Sequence, residues 1–126
     1  MAKNKMRILI VEDDEVLSDI YVTKLELEGY EAILAHEGYK GIELAIRKKP
    51  DLILLDIVLP KMNGFDILKM LKKKDKVQDI PVIFLSNLGQ DFEVNKGLEL
   101  GAVKYLVKSN HTPAQVVKII KDTLKK

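Results

Sequence analysis

Five short runs of mostly branched apolar residues recur along the chain, at Met6–Val11, Ala32–Ala35, Leu52–Leu55, Val82–Leu85 and Val103–Val107. Each is followed by a longer stretch in which apolar residues return every three or four positions. Leu17, Ile20, Tyr21 and Leu25 mark the first stretch, and Ile42, Ala45 and Ile46 the second. Phe65, Leu68 and Leu71, with Ile67 and Met70 beside them, mark the third; Val94 and Leu98 mark a weaker fourth, and Val116, Val117, Ile120 and Leu124 the last. Runs that are apolar at every position suit strands covered on both faces, whereas three-four spacing gathers side chains on one face of a helix. Strand then helix, five times, implies an α/β domain with a parallel sheet and right-handed crossovers. Of the two common doubly wound arrangements, five units favour the order 2-1-3-4-5.

The punctuation agrees. Gly29 stands where the first helix should stop, Pro50 closes the second, Asn63-Gly64 can open the third, and Gly101 follows the fourth. Thr112-Pro113-Ala114-Gln115 is a capping box with proline at the first helical position. The five units run from Met6 to about Leu124 of 126 residues. Residues 1–126 are therefore expected to be one domain, with no output domain inside the chain. The longest apolar runs are far too short to cross a membrane. The basic start Met1-Ala2-Lys3-Asn4-Lys5 is not followed by the apolar stretch of a secretory signal. There is no cysteine, which excludes disulfides, thiolate metal sites and cysteine nucleophiles and fits a cytoplasmic location. The net charge of +2 is uneven: residues 1–63 hold 9 basic and 12 acidic side chains, residues 64–126 hold 12 and 7. The lysines at 69, 72, 73, 74 and 76 read as a solvated helix face, and no aromatic residues interleave with them as a single-strand binder would require.

All carboxyl ends of parallel strands lie at one edge, the edge where open α/β sheets bind ligands. The first polar residues after each run are therefore the informative ones: Glu12, Asp13 and Asp14 after the first, Asp56 after the third, Ser86 after the fourth and Lys108 after the fifth. In the expected strand order, Glu12, Asp13 and Asp56 converge at the switch point, with Ser86 and Lys108 approaching from the far side. His36 ends the second run on an edge strand and reads as a solvent-exposed histidine away from the cluster. Three close carboxylates repel one another, and a hard divalent cation such as Mg²⁺ resolves the conflict. Adding a lysine and a hydroxyl yields equipment for phosphoryl transfer, with Asp56 as a candidate carboxylate nucleophile. Asp14 reads as the N-cap of the first helix.

Taken in order, Ile8-Leu9-Ile10-Val11-Glu12-Asp13-Asp14, Asp51 through Pro60 with Asn63-Gly64, Pro81-Val82-Ile83-Phe84-Leu85-Ser86, Gly101-Ala102 and Tyr105-Leu106-Val107-Lys108 resemble the receiver domain of bacterial two-component response regulators almost end to end. The resemblance implies a flavodoxin-like receiver fold. It implies that Asp56 accepts a phosphoryl group from the phosphohistidine of a histidine kinase or histidine phosphotransfer protein. Asp13 would ligate Mg²⁺ directly and Glu12 through water, with Asp56 and the backbone carbonyl of Val58 completing the protein ligands. Ser86 would hydrogen-bond the phosphoryl group, Lys108 would pair with its oxygens, and Tyr105 would turn inward as the switch aromatic. The face of the fourth helix, fifth strand and fifth helix would then change shape for a downstream effector protein or a phosphorylation-dependent homodimer. No membrane or direct nucleic-acid contact is expected.

Receivers usually place proline after this lysine; here Ser109 follows Lys108. A cis bond before a non-proline residue costs about 2.5–4 kcal/mol, so a trans bond with a shifted loop is expected, which puts the resting position of Lys108 in question. Pro60 and Gly64 read as turn chemistry without a contact role. Val58 and Leu88, two residues beyond Asp56 and Ser86, offer nothing to orient a hydrolytic water, and slow autodephosphorylation is expected. The alternatives are a Mg²⁺-dependent phosphatase with an aspartyl nucleophile, which would carry that nucleophile after the first strand, and a receiver that serves only as an unphosphorylated scaffold.

Overall fold

The structure, a computed structural model, describes residues 5–125; the basic start at residues 1–4 lies outside them. Five strands, β1 (Arg7–Val11), β2 (Glu31–Ala35), β3 (Leu52–Leu55), β4 (Val82–Ser86) and β5 (Lys104–Val107), alternate with α1 (Glu15–Leu27), α2 (Gly38–Lys48), α3 (Gly64–Lys72), α4 (Asp91–Glu99) and α5 (Pro113–Leu124). Every pairing is parallel and the order is β2-β1-β3-β4-β5, as the run pattern implied.

The fully apolar runs sit where they must. Successive side chains of a strand point to opposite faces, and the central strands feed two cores. Leu9, Val11, Ile53, Leu55, Val82 and Phe84 meet α2 and α3 through Ile42, Ala45, Phe65, Leu68 and Leu71. Ile8, Ile10, Leu52, Leu54, Ile83 and Leu85 meet α1 and α5 through Tyr21, Leu25, Val116, Val117 and Ile120. Each of the buried Val, Leu, Ile and Phe side chains contributes about 1.5–3 kcal/mol on leaving water, and both faces of the central strands are covered.

The helix boundaries follow local chemistry. Asp14 accepts the Leu17 N–H and Asn63 the Asp66 N–H, while Thr112 and Gln115 form the reciprocal box that starts α5. α1 stops at Gly29 with φ of 93°, a left-handed conformation that glycine adopts without penalty. Three apolar helix positions expected in the core are instead exposed, as are Met6 and Val103, the first residues of their runs, which lie just before β1 and β5. Ile20 is turned from the sheet, and Ser18 takes the buried position, its hydroxyl returning to the Glu15 carbonyl at 3.1 Å. Met70 and Leu98 also face outward. On α4 only Gly97 is buried, because the rings of Phe84 and Tyr105 leave no room for more.

Candidate functional site

The site grows from hydrogen-bond ladders that run one residue past the strands. The Glu12 N–H donates to the Ala35 carbonyl at 2.9 Å, and the Asp56 N–H donates to the Val11 carbonyl at 3.0 Å. The first carboxylates after β1 and β3 are thereby set side by side at the switch point. Oxygens of Glu12, Asp13 and Asp56 lie within 4.8 Å of one another. Glu12 is 3% exposed and Asp56 5%, while Asp13 is open to solvent.

Lys108 closes the group from β5. Its Nζ stands 2.7 Å from Glu12 Oε1 and 2.8 Å from Asp56 Oδ2. The Lys108-Ser109 bond is trans, as expected, and residues Lys108–Asn110 form a single 3-10 turn. Lys108 thus reaches Glu12 and Asp56 with serine, not proline, after it. The other oxygens are held by backbone: Asp56 Oδ1 accepts the Ile57 N–H at 2.7 Å, and Glu12 Oε2 accepts the Asp14 N–H at 3.0 Å.

Burial pushes the Glu12 carboxyl above its ordinary range, a shift that the Lys108 and Asp14 hydrogen bonds only partly offset. Burial pulls Lys108 the other way, but its hydrogen bonds to Asp56 and Glu12, and their charges, outweigh that and hold the ammonium above its ordinary range. Three carboxylates against one ammonium leave an excess of negative charge on an all-oxygen donor set, the chemistry that selects a hard divalent cation.

Ser86 is fully buried at the end of β4, and its hydroxyl oxygen accepts the Leu88 N–H at 3.3 Å. The Tyr105 hydroxyl donates to the carbonyl of the same residue, Leu88. The two residues expected to switch thus grip one peptide segment of the β4–α4 loop from its two ends. Tyr105 is half-buried against Phe84, with ring centroids 5.8 Å apart. Its hydroxyl is pushed up to about 12, first by burial and then by the charges of Glu93 and Asp56. Val58 is 60% exposed, and Leu88 is half-buried against the core on the α2–α3 side.

Three residues carry contacts that the sequence did not reveal. Gly64 is more than turn chemistry: its N–H donates to the Ile57 carbonyl at 2.8 Å, and a Cβ there would lie 2.3 Å from the Asp56 carbonyl oxygen. Only glycine allows the start of α3 to lie against the backbone of Asp56. His36 is exposed, as expected, but it is not apart from the cluster: its Nδ1 lies 3.0 Å from the Glu12 carbonyl oxygen. The strand order 2-1 already placed the ends of β1 and β2 side by side, and that was the available signal. Lys72, counted in the basic patch, instead donates to the Gln78 carbonyl at 3.1 Å.

The chain matches the family described as the response regulator receiver domain over residues 8–121. It is 43% identical over 102 residues to the DNA-binding dual master transcriptional regulator RpaA of a Synechocystis species, a match covering 81% of this chain and 42% of that protein. Its identity to the transcriptional regulatory protein CpxR of Escherichia coli is 41% over 102 residues, with the same two coverages, 81% and 42%. The chain thus spans less than half the length of these two relatives. Among solved structures, a CheY-like response regulator receiver domain protein from Methanospirillum hungatei superposes with a TM-score of 0.88 at 30% identity, covering 97% of this chain and 95% of that one.

Proposed function

This chain belongs to the response regulator receiver domain family, and we propose from that membership that it is the phosphoacceptor of a two-component pathway, with Asp56 as the acceptor. The observation that carries the reading is the placement of Asp56: a nearly buried carboxylate at the end of a central strand, beside the Glu12–Asp13 pair and 2.8 Å from the Lys108 ammonium. In the transfer, an Asp56 carboxylate oxygen attacks the phosphorus of a phosphohistidine on a histidine kinase or phosphotransfer protein. The P–N bond breaks, the imidazole nitrogen leaves with the electron pair and takes up a proton, and Asp56 becomes an acyl phosphate.

The donor set fits Mg²⁺, with Asp13, Asp56 and the Val58 carbonyl as direct ligands and Glu12 acting through water. The existing bonds of both Glu12 oxygens, to Lys108 and to the Asp14 N–H, favour that indirect role. When bound, Mg²⁺ supplies positive charge to the oxygens of the transferring group. Lys108 provides the second positive pole. Ser86 turns from the Leu88 N–H to a phosphoryl oxygen, and because Tyr105 is bonded to the Leu88 carbonyl, the loop and ring move together. The α4-β5-α5 face then presents a changed surface to an effector protein or a second phosphorylated copy. The chain acts as a cytoplasmic regulator rather than a turnover enzyme, and residues 1–126 make up its receiver domain. It acts on neither membrane nor nucleic acid directly.

Incubation with acetyl phosphate and Mg²⁺, followed by intact-mass measurement, is expected to show one phosphoryl adduct that Asp56→Asn abolishes. An unmodified parent, or an adduct surviving in D56N, would overturn the assignment. The apolar Val58 and Leu88 make the acyl phosphate long-lived. Introducing Val58→Asn and Leu88→Glu together should shorten its half-life about tenfold, less than the roughly hundredfold or more that a fully positioned acid or base contributes to proton transfer; an unchanged half-life would refute that kinetic role.

A further inference from the structure

We infer that His36 is a positioning residue for Asp13, acting through the peptide unit that joins Glu12 to Asp13. This rests on the reading of Glu12, Asp13 and Asp56 as the Mg²⁺ site.

Asp13 is the exposed member of that site. Among the described residues its carboxylate takes part in no hydrogen bond or ion pair, in contrast to Glu12 and Asp56, whose oxygens are held by Lys108 and by backbone N–H groups. Asp13 can therefore be aimed only by its own backbone. The two peptide units flanking it are both held. On the far side, the Asp14 N–H donates to Glu12 Oε2 at 3.0 Å. On the near side, the Glu12 carbonyl oxygen lies 3.0 Å from His36 Nδ1. A carbonyl oxygen only accepts, so Nδ1 carries the proton and donates.

The Glu12 carbonyl and the Asp13 N–H are opposite ends of one planar unit. Holding the oxygen holds the rotation at Glu12 ψ and Asp13 φ, and the Asp14 bond holds Asp13 ψ. At its other end Glu12 is held by the Ala35 carbonyl, the residue directly before His36. The end of β2 thus grips the acidic turn twice, once by backbone and once by the imidazole. Residues that orient metal ligands from behind typically change metal affinity by about 10- to 100-fold when removed.

The test compares Mg²⁺ affinity of the unphosphorylated protein, read from amide NMR shifts during MgCl₂ titration, for the parent, His36→Leu, His36→Asn and Asp13→Asn. The asparagine amide nitrogen lies as many bonds from the backbone as Nδ1 and can replace its donor; leucine fills space without donating. H36L should bind Mg²⁺ about tenfold more weakly, H36N should recover most of that loss, and the metal-free thermal midpoints of H36L and H36N should stay with the parent. The half-saturating Mg²⁺ for phosphorylation by acetyl phosphate should rise in H36L while the rate at saturating Mg²⁺ holds. Parent-like affinity in H36L, no recovery in H36N, or a metal-free midpoint that falls with affinity would each overturn the inference. If the parent binds no Mg²⁺, or D13N binds as tightly as the parent, the metal site itself is misread and the role of His36 falls with it.

Discussion

Lys108 and Glu12 show how single residues acquire their properties from neighbours. Lys108 is half-buried, which alone would favour its neutral form, yet two carboxylates at 2.7 and 2.8 Å keep it charged. Glu12 is the counterpart, raised by burial and only partly offset by the lysine. Tyr105, outside the Lys108 ion pairs, offers a linkage test of its own. Its folded value of about 12 exceeds the ordinary 10.0, so the folded state holds the phenolic proton more tightly than the unfolded chain does. The stabilising contribution of the hydroxyl is therefore fully present below pH 10 and is lost as pH rises through about 12. The stability advantage of the parent over Tyr105→Phe, measured as the difference in urea midpoints, should be present at pH 8 and much reduced at the upper end of that window. A difference that stays constant across the window would contradict the burial of this hydroxyl.

Among the elements, α4 is the least anchored. Its single buried residue is Gly97, seated on the rings of Phe84 and Tyr105, and its start is fastened by the Glu93 side chain accepting the Gln90 N–H at 3.0 Å. A Cβ at position 97 would come within 2.9 Å of the Tyr105 ring and 3.0 Å of the Phe84 ring. Overpacking of this kind costs about 1–3 kcal/mol, and the gain of about 1 kcal/mol from alanine in a helix offsets part of it. Gly97→Ala should therefore destabilise by roughly 1 kcal/mol net, measurable by urea unfolding. A stabilised G97A would mean that the rings yield and that helix propensity decides the outcome. The weak apolar pattern around Val94 and Leu98 was the sequence sign of this loose docking. Its cause is visible only where Phe84, from β4, and Tyr105, from β5, meet beneath the helix.

At the scale of the whole molecule, the two cores sandwich β1, β3 and β4 and leave α4 on a thin attachment. Local opening follows buried contacts, so amides of α4 should exchange with solvent through sub-global opening while those of β1, β3 and β4 exchange only on global unfolding. Native-state hydrogen exchange checks this, and equal protection across α4 and β4 would refute it. The strand–helix alternation, the sheet order and the carboxylates at the strand ends were legible in the sequence. Periodicity and strand ends are short-range patterns, and parallel topology carries them to one edge. Asp14, Asn63 and Thr112 were legible as caps for the same reason, since a cap bonds within its own turn. Ile20 was misplaced because spacing alone does not say which side of a helix meets the sheet. The grip of His36 on the Glu12 carbonyl, the close approach of Gly64 to Asp56, and the bridging of Glu12 and Asp56 by one ammonium were decided only by tertiary structure. The first and the last join loops from different strands, 24 residues apart for His36 and Glu12 and 52 for Lys108 and Asp56, while the second folds the β3–α3 loop back on its own start. Contacts of about 3 Å between such loops depend on the registers and helix crossovers of the assembled sheet, which no local pattern encodes.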